Sequence, residues 1–244
     1  MNKRPRLMKW KMESKKRKTL FLTAALLLLG AAASAQVKVK GNVYGGGEIG
    51  KVTENTQVKI NGGTMEGSVY GGGQGVDTLE TAGLVQGNTT VHMKDGTVER
   101  SIYGGGELGS VGTFTTQTVT YGANAGANAG KTVDVPVTCT SGGLAKVIVS
   151  GGHVGHEGSL MPVEGANPDD DDRGWIFCGS QGLADSITYY KAIAMGVVDS
   201  TYLEIDGTAV ITASVYGGCE NGLVLGNTRV DIKGGQIGTG YYLD

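Results

Sequence analysis

The chain has 244 residues, 21 Lys+Arg against 23 Asp+Glu, a formal net charge of −2, and 44 glycines beside only four prolines. So few prolines, and glycines set in pairs and triplets, exclude collagen. The Val, Ile and Tyr between the glycines exclude a flexible Gly-rich linker, so a structure spaces them.

Residues 1–35 read as a secretory signal peptide. Nine basic residues and the single acid Glu13 precede an apolar run from Leu20 to Ala35, which closes on Ala33-Ser34-Ala35. A basic head, a short apolar stretch and an A-x-A-like site define such a signal, and the run is shorter than the ~20 residues of a spanning helix. Cleavage leaves Gln36 first, with no membrane span. The remaining 36–244 then carries 12 basic and 22 acidic groups, a net of about −10. An acidic chain lacks the electrostatic footprint for phosphate backbones, which excludes nucleic acid as a partner.

The rest is repetitive. GNVYGGGEIG starts at Gly41, GSVYGGGQG at Gly67, RSIYGGGELG at Arg100, GWIFCGSQG at Gly174 and ASVYGGCENG at Ala213. A second unit sits between most of these: TQVKI from Thr56, TTVHM from Thr89, AKVIV from Ala145, TYLEI from Thr201 and TRVDI from Thr228. Internal duplication at this length marks a solenoid. Val58 and Ile60 alternate with Gln57, Lys59 and Asn61, which is the period of a half-buried strand. Met65 and Val69 continue the inward set, with Glu66, Ser68 and Tyr70 facing out. A shorter third stretch carries Val52, Val76 or Val111. Glycine costs roughly 0.5–1 kcal/mol relative to alanine in ordered chain, so the triplets Gly45–Gly47, Gly71–Gly73 and Gly104–Gly106 must serve corners that need positive φ or close backbone approach. The predicted fold is all-β: a parallel β-helix solenoid with Gly corners, occupying 36–244. Irregular insertions interrupt it at about 112–141, as a loop or β-hairpin, and 157–200. The last repeat reaches its aromatic at Tyr242, two residues before the sequence stops, which suggests a fragment of a longer chain.

The signal peptide with repeated GxVYGGGxxG units resembles the large Gly-rich β-helical surface proteins of gut Bacteroidales, described as adhesin-like. The resemblance covers 37–111, 142–156, 174–182 and 200–242. It implies export, surface display and binding to glycans or host surface proteins, and it brings no catalytic residues. Asp77-Thr78-Leu79, Asp185-Ser186-Ile187 and Asp199-Ser200-Thr201 also resemble O-glycosylation sites of exported proteins in that phylum, at Thr78, Ser186 and Ser200.

Tyr44, Tyr70, Tyr103, Phe177 and Tyr216 should stack along one edge. They form either an aromatic ladder for sugar rings or a self-stacked column that holds register, the latter being favoured. Asp169, Asp170, Asp171 and Asp172 supply oxygens of the kind calcium takes, but lack the spacing of a dedicated calcium loop and read better as a solvated acidic loop. His153, His156 and Glu157 are ligand types for a transition metal, yet a spacing of three on a strand separates the histidines. Of three cysteines, Cys178 and Cys219 replace corner glycines and would form a disulfide if those corners stack directly. No cofactor is implied. The function expected is a non-enzymatic, adhesin-like binding module. The alternatives are a polysaccharide lyase or hydrolase with its site among residues 157–200, and a spacer that binds nothing.

Overall fold

A computed structural model describes residues 37–155, 174–184 and 190–239; the signal peptide, Asp169–Asp172 and Ser186 lie outside these. The described residues form one compact unit. It is all-β, with parallel sheets curled into a half-barrel.

The strands, in chain order, are β1 (Lys38–Val39), β2 (Val43–Tyr44), β3 (Thr56–Met65), β4 (Val69–Tyr70), β5 (Thr89–Val98), β6 (Ile102–Tyr103), β7 (Thr113–Thr120), β8 (Thr132–Ser141), β9 (Leu144–Val149), β10 (His153–Val154), β11 (Ile176–Phe177), β12 (Val197–Val198), β13 (Ser200–Ile205), β14 (Val210–Ile211), β15 (Val215–Tyr216), β16 (Leu223–Val224), β17 (Thr228–Ile232) and β18 (Gln236–Ile237). Each repeat places equivalent residues side by side. The T-x-V-x-I segments pair in parallel as β3, β5, β9, β13 and β17, with Val58 beside Val91, Val91 beside Val147, Val147 beside Leu203 and Leu203 beside Val230. The corner strands pair as β2, β4, β6, β11 and β15. The third stretch is a chain of parallel bridges through Val52, Val85, Val111 and Val198, extended by β12 with β16.

The inward residues of the long strands make the core. Val91, Met93, Val147, Val149, Leu203 and Ile205 are completely buried. One β-strand cannot bury such a row by itself; parallel neighbours bury it continuously.

Two sequence expectations change. Val85, not Val76, occupies the third stretch of the second repeat, because Val76 turns back on Leu79 in an antiparallel bridge and the chain rejoins its neighbours later. The 157–200 insertion is also narrower than expected. By Gly174 the chain is back in register: Ile102 N–H donates to Trp175 O at 3.0 Å and Ile176 N–H to Ser214 O at 3.1 Å. Residues 192–194 form a 3₁₀ turn before β12. The other insertion, 112–141, is an antiparallel hairpin of β7 and β8.

The recurrent Thr of T-x-V-x-I has a definite task. Thr56 Oγ1 donates to Gly71 O and Thr89 Oγ1 to Gly104 O, each at 2.6 Å, and Thr201 Oγ1 donates to Gly217 O. All three threonines are buried. Each hydroxyl ties a long strand to a corner carbonyl, and an unsatisfied buried acceptor costs about 1–3 kcal/mol. Thr89→Val is therefore expected to lower unfolding free energy by about that amount in a urea titration, whereas Thr89→Ser keeps most of it.

Candidate binding cleft and the aromatic column

The five predicted aromatics do stack. Ring centroids lie 4.9 Å apart for Tyr44 and Tyr70, 4.8 Å for Tyr70 and Tyr103, 5.4 Å for Tyr103 and Phe177, and 4.8 Å for Phe177 and Tyr216, all within 10° of parallel. This spacing is the strand separation itself, so the column is set by the sheet and reinforces its register. Trp175 adds a ring 5.8 Å from Tyr216.

Tyr70 does not face solvent as its place in the alternation suggested: it is 3% exposed and Tyr103 is 1% exposed. Their ring faces are taken up by one another and by the neighbouring rings. Their hydroxyls are taken up as well, by the Glu or Gln that follows the small-residue triplet of a corner. Tyr44 donates to Glu107, Tyr70 to Gln181 Oε1 at 2.7 Å and Tyr103 to Glu220 Oε2 at 2.6 Å. In every case the acceptor belongs to the second repeat onward, so each bond ties three successive repeats together. Burial, together with the bond to Glu107, pushes the Tyr44 phenol up to about 12. Of the five aromatics only Tyr216 is exposed.

The cysteines are free thiols. The expected Cys178–Cys219 disulfide is not formed, and the register explains why. Phe177 pairs with Tyr216, which sets Cys178 beside Gly217 and leaves Cys219 two positions further on. Cys178 Sγ points at Ala145 O at 3.5 Å, and Cys219 Sγ accepts from Ser180 N–H at 3.3 Å. Burial pushes the two thiols up, to about 12 and about 11, so neither supplies a thiolate near neutral pH. His153 sits in β10 with Nε2 3.1 Å from Thr212 Oγ1, while His156 and Glu157 lie outside the described residues. Among the described residues no three His, Cys, Asp or Glu side chains gather as a metal set. Thr78 is exposed, whereas Ser200 is half-buried at the start of β13.

Sequence reasoning missed a cavity of about 510 Å³ beneath the hairpin. Its walls come from β7 and β8 on one side, including Phe114, Thr116, Asp134 and Pro136, and from the 80–86 connection on the other, including Glu80, Leu84 and Gln86. The hairpin is held by contacts at its far end. Tyr121 OH donates to Tyr190 O at 3.1 Å, its ring meets that of Tyr190 edge-on at 6.3 Å, and Lys131 Nζ lies 4.9 Å from the Tyr190 ring centroid. Opposite, Lys191 Nζ bridges Glu80 at 3.1 Å and Thr78 O at 2.8 Å. Both lining carboxylates are thus engaged: Glu80 by Lys191, and Asp134 by the Thr118 hydroxyl at 2.6 Å. The lining combines one aromatic ring with hydroxyl, amide and carboxylate groups. The signal available in the sequence was the Thr-rich interruption at 112–141, since insertions in repeat proteins gather on binding faces.

No protein-family model, curated protein or solved structure matches this chain.

Proposed function

We propose that the protein is an exported parallel β-helix, displayed at the cell surface in the manner of adhesin-like proteins, which binds a glycan in the cleft under the β7–β8 hairpin. The observation that carries this reading is the cavity itself. It is concave, it is built by an insertion that leaves the repeat, and it offers Phe114 beside Thr116, Gln86 and Asp134. An apolar ring among convergent polar groups is the usual composition of a ligand site, and it suits a sugar, whose faces are apolar and whose rim is hydroxyl. The column of Tyr44, Tyr70, Tyr103, Phe177 and Tyr216 holds register in this reading. The β-helix reading is supported by five successive repeats that place equivalent residues in parallel register on three sides. Export rests on the signal-like residues 1–35.

The test is native electrophoresis of the chain from Gln36 through gels containing a panel of polysaccharides, with and without calcium. Retardation by at least one polymer is expected. Phe114→Ala should weaken the apparent affinity about three- to tenfold, the worth of one aromatic contact. Retardation that is indifferent to Phe114 and Asp134 would remove the cleft from the proposal. Clearing of the polymer would replace binding by hydrolysis or lyase chemistry, and no effect on any polymer would leave a spacer.

A further inference from the structure

The outer face of the long strands carries its charge unevenly. In the parallel register one outward row runs Gln57, Thr90, Lys146, Tyr202 and Arg229, and the next runs Lys59, His92, Ile148, Glu204 and Asp231. On β13 and β17 the charges cancel. Arg229 bridges Asp231 at 2.8 Å and Lys233 bridges Glu204 at 2.7 Å, with the Tyr202 hydroxyl 2.5 Å from Glu204 Oε2 and 3.1 Å from Asp231 Oδ2. On β3, β5 and β9 they do not cancel. Residues 56–61, 89–94 and 144–149 hold Lys59, His92, Lys94 and Lys146 and no acid. Among the described residues none of these three lysines forms an ion pair.

The four groups are neighbours. Lys59 stands beside His92 on the next strand, Lys94 follows two residues along β5, and Lys146 stands beside Thr90. Strand spacing and rise place all three lysine Cα atoms within about 8 Å of that of His92. The imidazole registers them: burial first, then Lys94, Lys59 and Lys146, hold its pKa below the ordinary value, against an opposing pull from Glu204. Lys59 and Lys94 are exposed, and Lys146 Nζ is placed 5.1 Å from the Tyr202 ring centroid. Like charges at facing positions of neighbouring strands destabilise a sheet, so stability does not account for this cluster. An anionic ligand does.

We propose that the outer face of β3, β5 and β9 is a second binding surface, which takes an anionic polysaccharide laid across the strands, its carboxylate or sulfate groups held by Lys59, Lys94 and Lys146 and its hydroxyls by Gln57 and Thr90. The occupant is a single glycan chain and not a duplex or a membrane. Those present charge far wider than four side chains, and would bring it within a Debye length, about 8 Å, of a protein whose 36–244 segment is otherwise acidic. A bound anion offsets the field of the lysines at His92. The imidazole then takes up a proton more readily, and affinity rises as pH falls through the histidine range. The surface is independent of the cleft and of Phe114.

Electrophoresis of the chain from Gln36 through gels carrying polygalacturonate, heparin or neutral dextran tests this. Retardation by at least one polyanion and not by dextran is expected, and it should fade with added salt. The polygalacturonate arm reports carboxylate recognition and the heparin arm sulfate recognition. Lys59→Gln combined with Lys94→Gln should weaken the apparent affinity at least about tenfold. Both side chains are exposed, so the fold is kept. Lys51→Gln, an exposed lysine outside these strands, and Phe114→Ala should each change it less than about twofold. In an NMR titration the retarding polyanion should raise the pKa of His92. No retardation by either polyanion overturns the proposal, as does a double variant no weaker than Lys51→Gln or a His92 pKa that does not move. Loss with Phe114→Ala alone would put the polyanion in the cleft and overturn this surface. Tighter binding to phosphatidylglycerol vesicles than to either polymer would replace the glycan by a lipid surface and overturn it as well.

Discussion

Gly104→Ala is expected to remove about 3 kcal/mol or more of stability, enough to unfold the middle of the stack. A Cβ at this position would lie 2.1 Å from the Cys178 carbonyl oxygen and 3.0 Å from Val147 Cγ2. The clash is with backbone, so no rotamer relieves it. Moving the corner would stretch the bonds from Gly104 N–H to Phe177 O at 3.0 Å and from Gly105 N–H to Gly179 O at 2.9 Å. Gly50→Ala is the internal control. A Cβ there meets nothing within 4 Å and its φ is not positive, so alanine should be neutral or slightly stabilising. Urea midpoints of the two variants decide the matter. Equal stability would mean that the repeats do not approach one another as described.

Tyr103→Ala is expected to cost about 3–5 kcal/mol, the usual penalty for deleting a buried aromatic ring. Tyr103 is the middle of the column, 1% exposed, with rings at 4.8 and 5.4 Å on its two sides. Tyr103→Phe keeps the ring and loses only the hydroxyl that donates to Glu220, which should cost about 1.5–3 kcal/mol. Thermal or urea unfolding of the pair separates stacking from the bond that ties three repeats. If Tyr103→Phe were as damaging as Tyr103→Ala, the hydroxyl network would dominate; if it were silent, the column would act through packing alone.

The sequence by itself determined the strands, the repeat and the aromatic column. The period-two run Val58–Ile60, the recurring Thr at its head and the Gly triplets are local signals, and each repeat restates them. Duplication also made neighbours legible: Tyr44, Tyr70 and Tyr103 had to stack, because equivalent residues in parallel strands fall side by side. It did not decide whether the glycine triplets served positive φ or close approach. The backbone at Gly45, Gly71 and Gly104 is ordinary in φ, and the constraint is the carbonyl of the next repeat lying where a Cβ would be. That distance exists only once repeats are stacked.

Four other features were decided by tertiary structure. Tyr70 is buried because its neighbours cover both of its faces, which alternation along one strand cannot express. Val85 replaces Val76 because a turn absorbs residues that look like strand. The Cys178–Cys219 offset of two positions matters only when a register fixes which residues are adjacent. The cleft draws Glu80, Gln86, Phe114 and Asp134 from segments far apart in the chain, brought together by how the hairpin folds back. A repeat writes its own nearest-neighbour contacts into the sequence, whereas an insertion that leaves the repeat has no counterpart to pair with, and its docking becomes visible only in three dimensions.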